Sequence, residues 1–185
     1  EEGIIKGLYL LKAADAAASG FKVKLIGSGS ILREVIAGAE LLEKDFGIAS
    51  DIFSVTSFTE LAREAHDADR WNMLNPLETP RVPYVTQLLD IRGEGPVVAS
   101  TDYMGLVAEQ IREHVPGNFR VLGTDGYCRS DFRRKLRNHF EVDRHFVAVA
   151  ALKALADENK LPSIKVAEAI EKYDIDPQKP NPARV

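Results

Sequence analysis

Short apolar stretches alternate with helical patterns along most of this chain, and that alternation narrows the fold more than any other feature. Residues 23–26, 52–55, 96–100 and 119–122 read as buried strands. Each is followed by a stretch with apolar residues three or four apart. The first of these, residues 30–44, puts Ile31, Leu32, Val35, Ile36, Ala39 and Leu42 on one helix face. Ser57-Phe58-Thr59-Glu60 has the capping-box pattern and starts a helix through Leu61, Ala65 and Ala68. Strands separated by helices pair in parallel, because a parallel pair needs a crossover of a dozen or more residues. The expectation is an α/β layered fold.

Further elements follow. Residues 75–83, NPLETPRVP, hold three prolines and must be irregular. A short helix is expected at 84–89 and a longer one over about 104–114. Phe132, Leu136 and Phe140 mark one face of another, 146–155 is the most apolar and most buried, and 163–173 is the last. Residues 4–11 are a possible fifth strand of undetermined direction, and residues 175–185, with three prolines, an extended or frayed tail.

A length of 185 residues fits one domain with a core that needs no staples. The 45% hydrophobic and 28% charged residues are ordinary for a globular chain. A net charge of −4 with mixed signs argues against a nucleic-acid surface. No apolar run approaches the roughly 20 residues of a membrane span. One cysteine, Cys128, cannot form an internal disulfide, which fits a reducing cytoplasm. The start Glu1-Glu2-Gly3 is acidic, unlike a signal peptide, and lacks methionine, as in a piece of a longer protein or a processed chain.

The candidate chemistry is thin. GSGSIL, residues 27–32, follows a strand and opens a helix, where backbone N–H groups favour anions. A dinucleotide fingerprint would want glycine in place of Leu32 and an acid where Thr56 and Ser57 stand. Gly27, Ser28, Gly29 and Ser30 are therefore either a weak anion site or a tight turn capped by Ser28 or Ser30, the second being favoured. His66, His114, His139 and His145 make no i, i+4 pair and read as solvated or satisfied. Cys128 beside Arg129 lacks a histidine neighbour in sequence and reads as a bystander. Trp71, between Arg70 and Asn72, is an interface anchor or an edge-of-core residue with equal justification. No catalytic set and no metal set is visible.

Seven segments in order carry a resemblance: EEGIIKGLYLL, GSGSILREV, SDIFSVTSFTELAR, RWNMLNPLETPRVPYV, VASTDYM, RVLGTDGYCRSDFR and HFEVDRHFVAVAAL. Together they resemble the C-terminal domain of the homodimeric bacterial pyruvate dehydrogenase decarboxylating component, over essentially the whole chain. The resemblance implies a three-layer α/β/α sandwich with a five-stranded mixed sheet whose first strand, residues 4–11, is antiparallel. It implies a parent enzyme that decarboxylates pyruvate and acetylates a lipoyl group with thiamine diphosphate and Mg, both bound in other domains. The cofactor motif, Gly-Asp-Gly followed by paired asparagines, is not present; residues 123–126 read Gly-Thr-Asp-Gly. The implied partners are the other domains, the second subunit of a homodimer and the dihydrolipoyl acetyltransferase core, with no nucleic acid and no membrane.

The same resemblance explains residues 128–131. The family usually has Gly-Arg-Ser-Asp here; Arg129, Ser130 and Asp131 match, while Cys128 and Phe132 depart. Ser130 or Asp131 is expected to cap the next helix, leaving Arg129 to reach outward at an inter-domain or inter-subunit contact. Two other readings stand beside this one. In the first, the Gly27–Ser30 turn makes the chain an independent small-anion or nucleotide-binding module; in the second, the chain is a dimerisation domain without a ligand.

Overall fold

A computed structural model describes residues 1–14, 20–127 and 129–185. Five strands, β1 (Leu8–Lys12), β2 (Lys22–Ser28), β3 (Ala49–Val55), β4 (Val97–Ser100) and β5 (Phe119–Leu122), form one sheet in the order β1-β3-β2-β4-β5. β1 runs antiparallel to β3; the other pairs are parallel, with Leu25 beside Ile52 on one side and Val98 on the other.

Strand side chains alternate between faces, and β2 shows what that builds. Leu25 enters a core with Val35 and Leu42 of α2 (Leu32–Phe46), Val147 and Leu152 of α7 (Arg144–Asp157), and Ala169 of α8 (Ile164–Lys172). Its neighbour Ile26 enters the opposite core with Phe53 of β3, Phe58 and Leu61 of α3 (Phe58–Leu74), Val85 and Leu89 of α4 (Tyr84–Asp90), and Ala108 of α5 (Gly105–Glu109). The result is helix, sheet, helix: a three-layer α/β/α sandwich with a mixed sheet. Burying an aliphatic side chain contributes roughly 1.5–3 kcal/mol, so these two cores hold the layers together. The most apolar helix, α7, is also the most buried, and Asp143 caps it by accepting from the N–H groups of His145 (2.9 Å) and Phe146 (3.2 Å). Ser57 caps α3 as expected, accepting from the Glu60 N–H at 3.1 Å; the Glu60 carboxylate turns to Arg63 instead of closing the box.

Four expectations need correction. Residues 2–5 are a helical turn, α1 (Glu2–Ile5), so the edge strand begins later, at Leu8. The helix expected over 104–114 stops at Glu109 and resumes as a 3₁₀ turn, Arg112–His114. Pro116 forces the residue before it out of helical geometry, and Val115 is extended. At the end of α6 (Arg133–His139) Phe140 packs against the core and Leu136 is half-buried, but Phe132 lies before the helix and is 80% exposed. The tail is not frayed: Lys179 Nζ donates to the carbonyls of Asn138 (2.6 Å) and His139 (2.8 Å), and buried Pro182 opens a 3₁₀ turn.

Candidate functional site

Sheet order decides where a ligand would go. From β2 the chain moves through α2 to β3 on one side, then returns to place β4 and β5 on the other. Winding reverses between β2 and β4, and in such sheets ligands bind outside the carboxyl ends of the strands at that reversal. Here those ends carry Ser28 and Ser100. Ser28 Oγ donates to Thr101 Oγ1 at 2.7 Å in a buried contact that ties the two strands together. Further out, two residues past Ser28 and one past Thr101, Ser30 Oγ donates to Asp102 Oδ2 at 3.2 Å. Thr124, after β5, donates to the Asp102 carbonyl at 2.7 Å.

These contacts correct two readings of the GSGS turn. Ser28 and Ser30 do not cap a helix; neither makes a capping hydrogen bond, because both hydroxyls are turned toward the β4 end. The turn is also no ready anion pocket. Gly29 has φ +52°, and a Cβ there would lie 2.9 Å from Asp102 Oδ1. The chain's own carboxylate therefore stands beside the turn, where it repels a second negative charge, so the nucleotide-module reading lacks its site.

The segment after β5 closes over this edge. Gly105 N–H donates to Asp125 at 3.1 and 3.3 Å, and Gly123 approaches the Gly105 backbone so closely that a side chain on it would overlap main-chain atoms. Beyond this turn, α6 brings Arg133, Leu136 and Arg137 back over the edge. Between them and the strand ends lies a cleft of about 380 Å³, floored by Ile31, Leu136, Phe140 and Val142 and bordered by Ser30, Asp102, Thr124 and the arginines 129, 133 and 137.

The arginines are not equivalent. Arg137 Nη1 donates to Glu34 Oε1 at 2.8 Å, and its Nη2 lies 3.3 Å from Ser30 Oγ. Glu34, buried in α2, also receives Arg144 Nε at 2.9 Å. Burial pushes the Glu34 carboxyl up, but the bonds from Arg144 and the charge of Arg137 hold it below the usual carboxylate range. Among the described residues, no carboxylate pairs with Arg129 or Arg133.

Sequence reasoning singled out Ser30 and Arg129, and the structure brings both to this cleft. Ser130 and Asp131 are exposed on the same turn. Neither caps α6: Asp131 accepts from its neighbour Phe132 N–H at 2.7 Å, and Phe132 stands at the cap position. Trp71 does not line the cleft. It is half-buried at the end of α3, with the Arg81 guanidinium 4.1 Å over its ring, and Asn72 holds the Arg81 backbone at 2.9 and 2.7 Å. Cys128, read as a bystander and a departure from glycine, lies outside the described residues.

His66 and His114 meet edge-on with ring centroids 6.1 Å apart, while His139 and His145 pack on other rings. His66 is exposed, and His145 stacks on Tyr173. His114 Nε2 lies 3.4 Å from Asp69 Oδ2, a partner that fits a satisfied histidine. The buried Nε2 of His139 has no hydrogen-bond partner among the described residues, and that ring packs edge-on against Phe140. Asp102, Arg133 and Arg137 were missed. The available signals were the polar Ser-Thr-Asp run directly after a strand and two arginines spaced i, i+4 on a helix.

Among the described residues, no group of three His, Cys, Asp or Glu side chains could hold a metal, and Asp125 of Gly-Thr-Asp-Gly is committed to Gly105. Among the described residues, no helix is long and apolar enough to cross a membrane.

Comparison with known proteins agrees with this geometry. The chain is 55% identical over 185 residues to the pyruvate dehydrogenase E1 component of Cupriavidus necator, covering 100% of this chain and 21% of that protein. It is 56% identical over 183 residues to the protein of the same name from Escherichia coli K12, covering 98% and 20%. It thus spans about a fifth of the length of these relatives. Transketolase structures share its fold. The one from Pichia stipitis superposes with a TM-score of 0.56 at 17% identity, covering 86% of this chain and 19% of that one. The one from Campylobacter jejuni superposes at 0.54 and 19% identity, covering 80% and 18%. A family model described as the transketolase-like TK C-terminal domain matches residues 7–143, and the chain belongs to that family.

Proposed function

We propose that this chain is the C-terminal domain of a pyruvate dehydrogenase E1 component, and that it serves structure, domain packing and dimerisation rather than chemistry. Identity of 55% sustained across all 185 residues to a protein of that name carries the reading. The parent enzyme decarboxylates pyruvate and acetylates a lipoyl group in the cytoplasm, with thiamine diphosphate and Mg held by its other domains. Its partners are a second subunit and a dihydrolipoyl acetyltransferase core.

Surface chemistry supports a packing role. Leu77 is 97% exposed, Met73 and Leu74 are exposed beside it in sequence, and Tyr127 and Phe132 are exposed near the Arg129–Asp131 turn. Large apolar side chains grouped in this way suit contact with further protein. Trp71 and residues 129–131 are assigned to the same contacts.

A chimera tests this reading. The matching 183-residue segment of the Escherichia coli relative is replaced by this chain, and pyruvate-dependent acetylation of a lipoyl domain is measured. Activity well above that of the same enzyme lacking the segment is expected. The isolated chain should show no tight thiamine diphosphate binding by calorimetry. A soluble, folded but inactive chimera, or stoichiometric cofactor binding by the chain alone, would refute the assignment.

A further inference from the structure

The geometry points to the cleft at the carboxyl edge of β2 and β4 as a binding site for a small amphipathic organic anion, an apolar body carrying one phosphate or carboxylate group. This inference uses only groups of this chain and applies to the chain by itself, where the Arg129 turn is not engaged in the packing contacts proposed above.

Three observations converge. Position is the first: the cleft lies at the one reversal of winding in the sheet, where a doubly wound fold opens a crevice. Its chemistry is the second. The floor is apolar, made by Ile31, Leu136, Phe140 and Val142, while guanidinium groups border it. A volume of about 380 Å³ falls in the range of small-molecule sites and suits a ring or short chain with one charged group. The third is the charge balance. Arg137 is held by Glu34 and is fixed in place. Arg129 and Arg133 have no carboxylate partner among the described residues, so their donor forks are available to a planar or tetrahedral oxyanion.

Asp102 sharpens the ligand's description. Its carboxylate lies on the same cleft, beside Gly29 and Ser30. It repels an anion at the strand ends and directs the charge toward Arg129 and Arg133. A bare inorganic anion would leave the apolar floor unused, and a neutral apolar molecule would leave the arginines unused. A ligand with both parts uses the whole cleft, which also separates this site from the GSGS turn that Asp102 screens.

Titration of the isotope-labelled 185-residue chain, followed by NMR, tests the site. The probes are phenyl phosphate and phenylacetate, with inorganic phosphate and phenol as half-ligands. Phenyl phosphate or phenylacetate should shift the amide signals of Ile31, Leu136, Phe140 and Val142 and bind at least tenfold more tightly than either half-ligand. The Arg129→Gln/Arg133→Gln double variant should keep a dispersed, folded spectrum and lose at least tenfold in affinity. Arg134→Gln, on the same helix but outside the cleft lining, should bind within twofold of the parent. Unmoved cleft signals, inorganic phosphate binding as tightly as phenyl phosphate, or equal losses for Arg134→Gln and the double variant would each overturn the site. The last would assign the effect to diffuse positive charge.

Discussion

The two edges of the sheet treat charge in opposite ways. At the amino edge, Asp51 is fully buried in β3, and every group around it answers to it: Lys22 at 2.9 Å, Arg92 at 2.7 Å and the Ala14 N–H at 2.7 Å. At the carboxyl edge, Glu34 holds Arg137 and Arg144, while Arg129 and Arg133 face a cleft with no carboxylate partner among the described residues. The first arrangement is closed and stabilises the fold. The second leaves binding capacity unused. Buried charge is tolerated where partners surround it, as at Asp51, whereas Arg129 and Arg133 are exposed and can stand without a carboxylate partner.

The largest effect should come from opening the closed edge. Asp51→Ala leaves Lys22 and Arg92 without their shared partner and should cost about 3 kcal/mol in urea unfolding, as breaking a buried ion pair does. The same carboxyl sets an acid limit. Burial pushes it up, but the bonds from Arg92, Ala14 and Lys22 outweigh this and hold it below its ordinary value of 3.8. Its contribution is therefore fully present above pH 3.8 and lost as pH falls through the lower folded value. Melting temperature followed from pH 6 down to about pH 2 should drop more steeply for the parent than for Asp51→Asn. Parallel curves would mean that the amino edge is not the closed network described.

Glu34→Gln comes next, at about 2 kcal/mol, because Arg137 and Arg144 lose their acceptor charge yet retain a route to solvent. A loss as large as that of Asp51→Ala would erase the difference between the edges. Ser28→Ala should cost about 1 kcal/mol, the net worth of one hydrogen bond, read as a shift in the chemical-denaturation midpoint. Thr101 retains its bond from the Tyr103 N–H at 3.1 Å. The smallest change belongs to Arg129→Gln/Arg133→Gln. With no carboxylate partner among the described residues to lose, the double variant should unfold within about 0.5 kcal/mol of the parent. A drop of 2 kcal/mol would show that these arginines brace the fold.

The layering was legible in the sequence because it rests on local periodicity. Leu25 and Ile26 alternate within one strand, Val35 and Leu42 recur along one helix, and Ser57 with Glu60 announces a helix start. The edges were not legible, because their contacts join distant residues: Ser28 to Thr101 across 73 positions, Arg137 to Glu34 across 103. The capping roles assigned to Ser28, Ser30, Ser130 and Asp131 failed for the same reason in the first two cases, where a long-range acceptor outcompeted the local amide. The seven-segment resemblance supplied the antiparallel edge strand, which pattern alone could not orient. Its start was displaced because Glu2–Ile5 forms a helical turn before the strand.

The backbone contact between Gly105 and Gly123 sets a rule for anyone redesigning the cleft by combinatorial libraries. A Cβ on Gly123 would meet main-chain atoms of Gly105, which cannot rotate aside, so no second-site change at a side chain restores the fit. Both positions should be held constant while diversity is placed at Leu106, Tyr127 and Phe132, whose side chains are exposed near the same edge. Libraries that vary the glycines would consist mostly of clones in which the Gly105–Gly123 contact is displaced, and screening would then report on folding instead of on ligand preference.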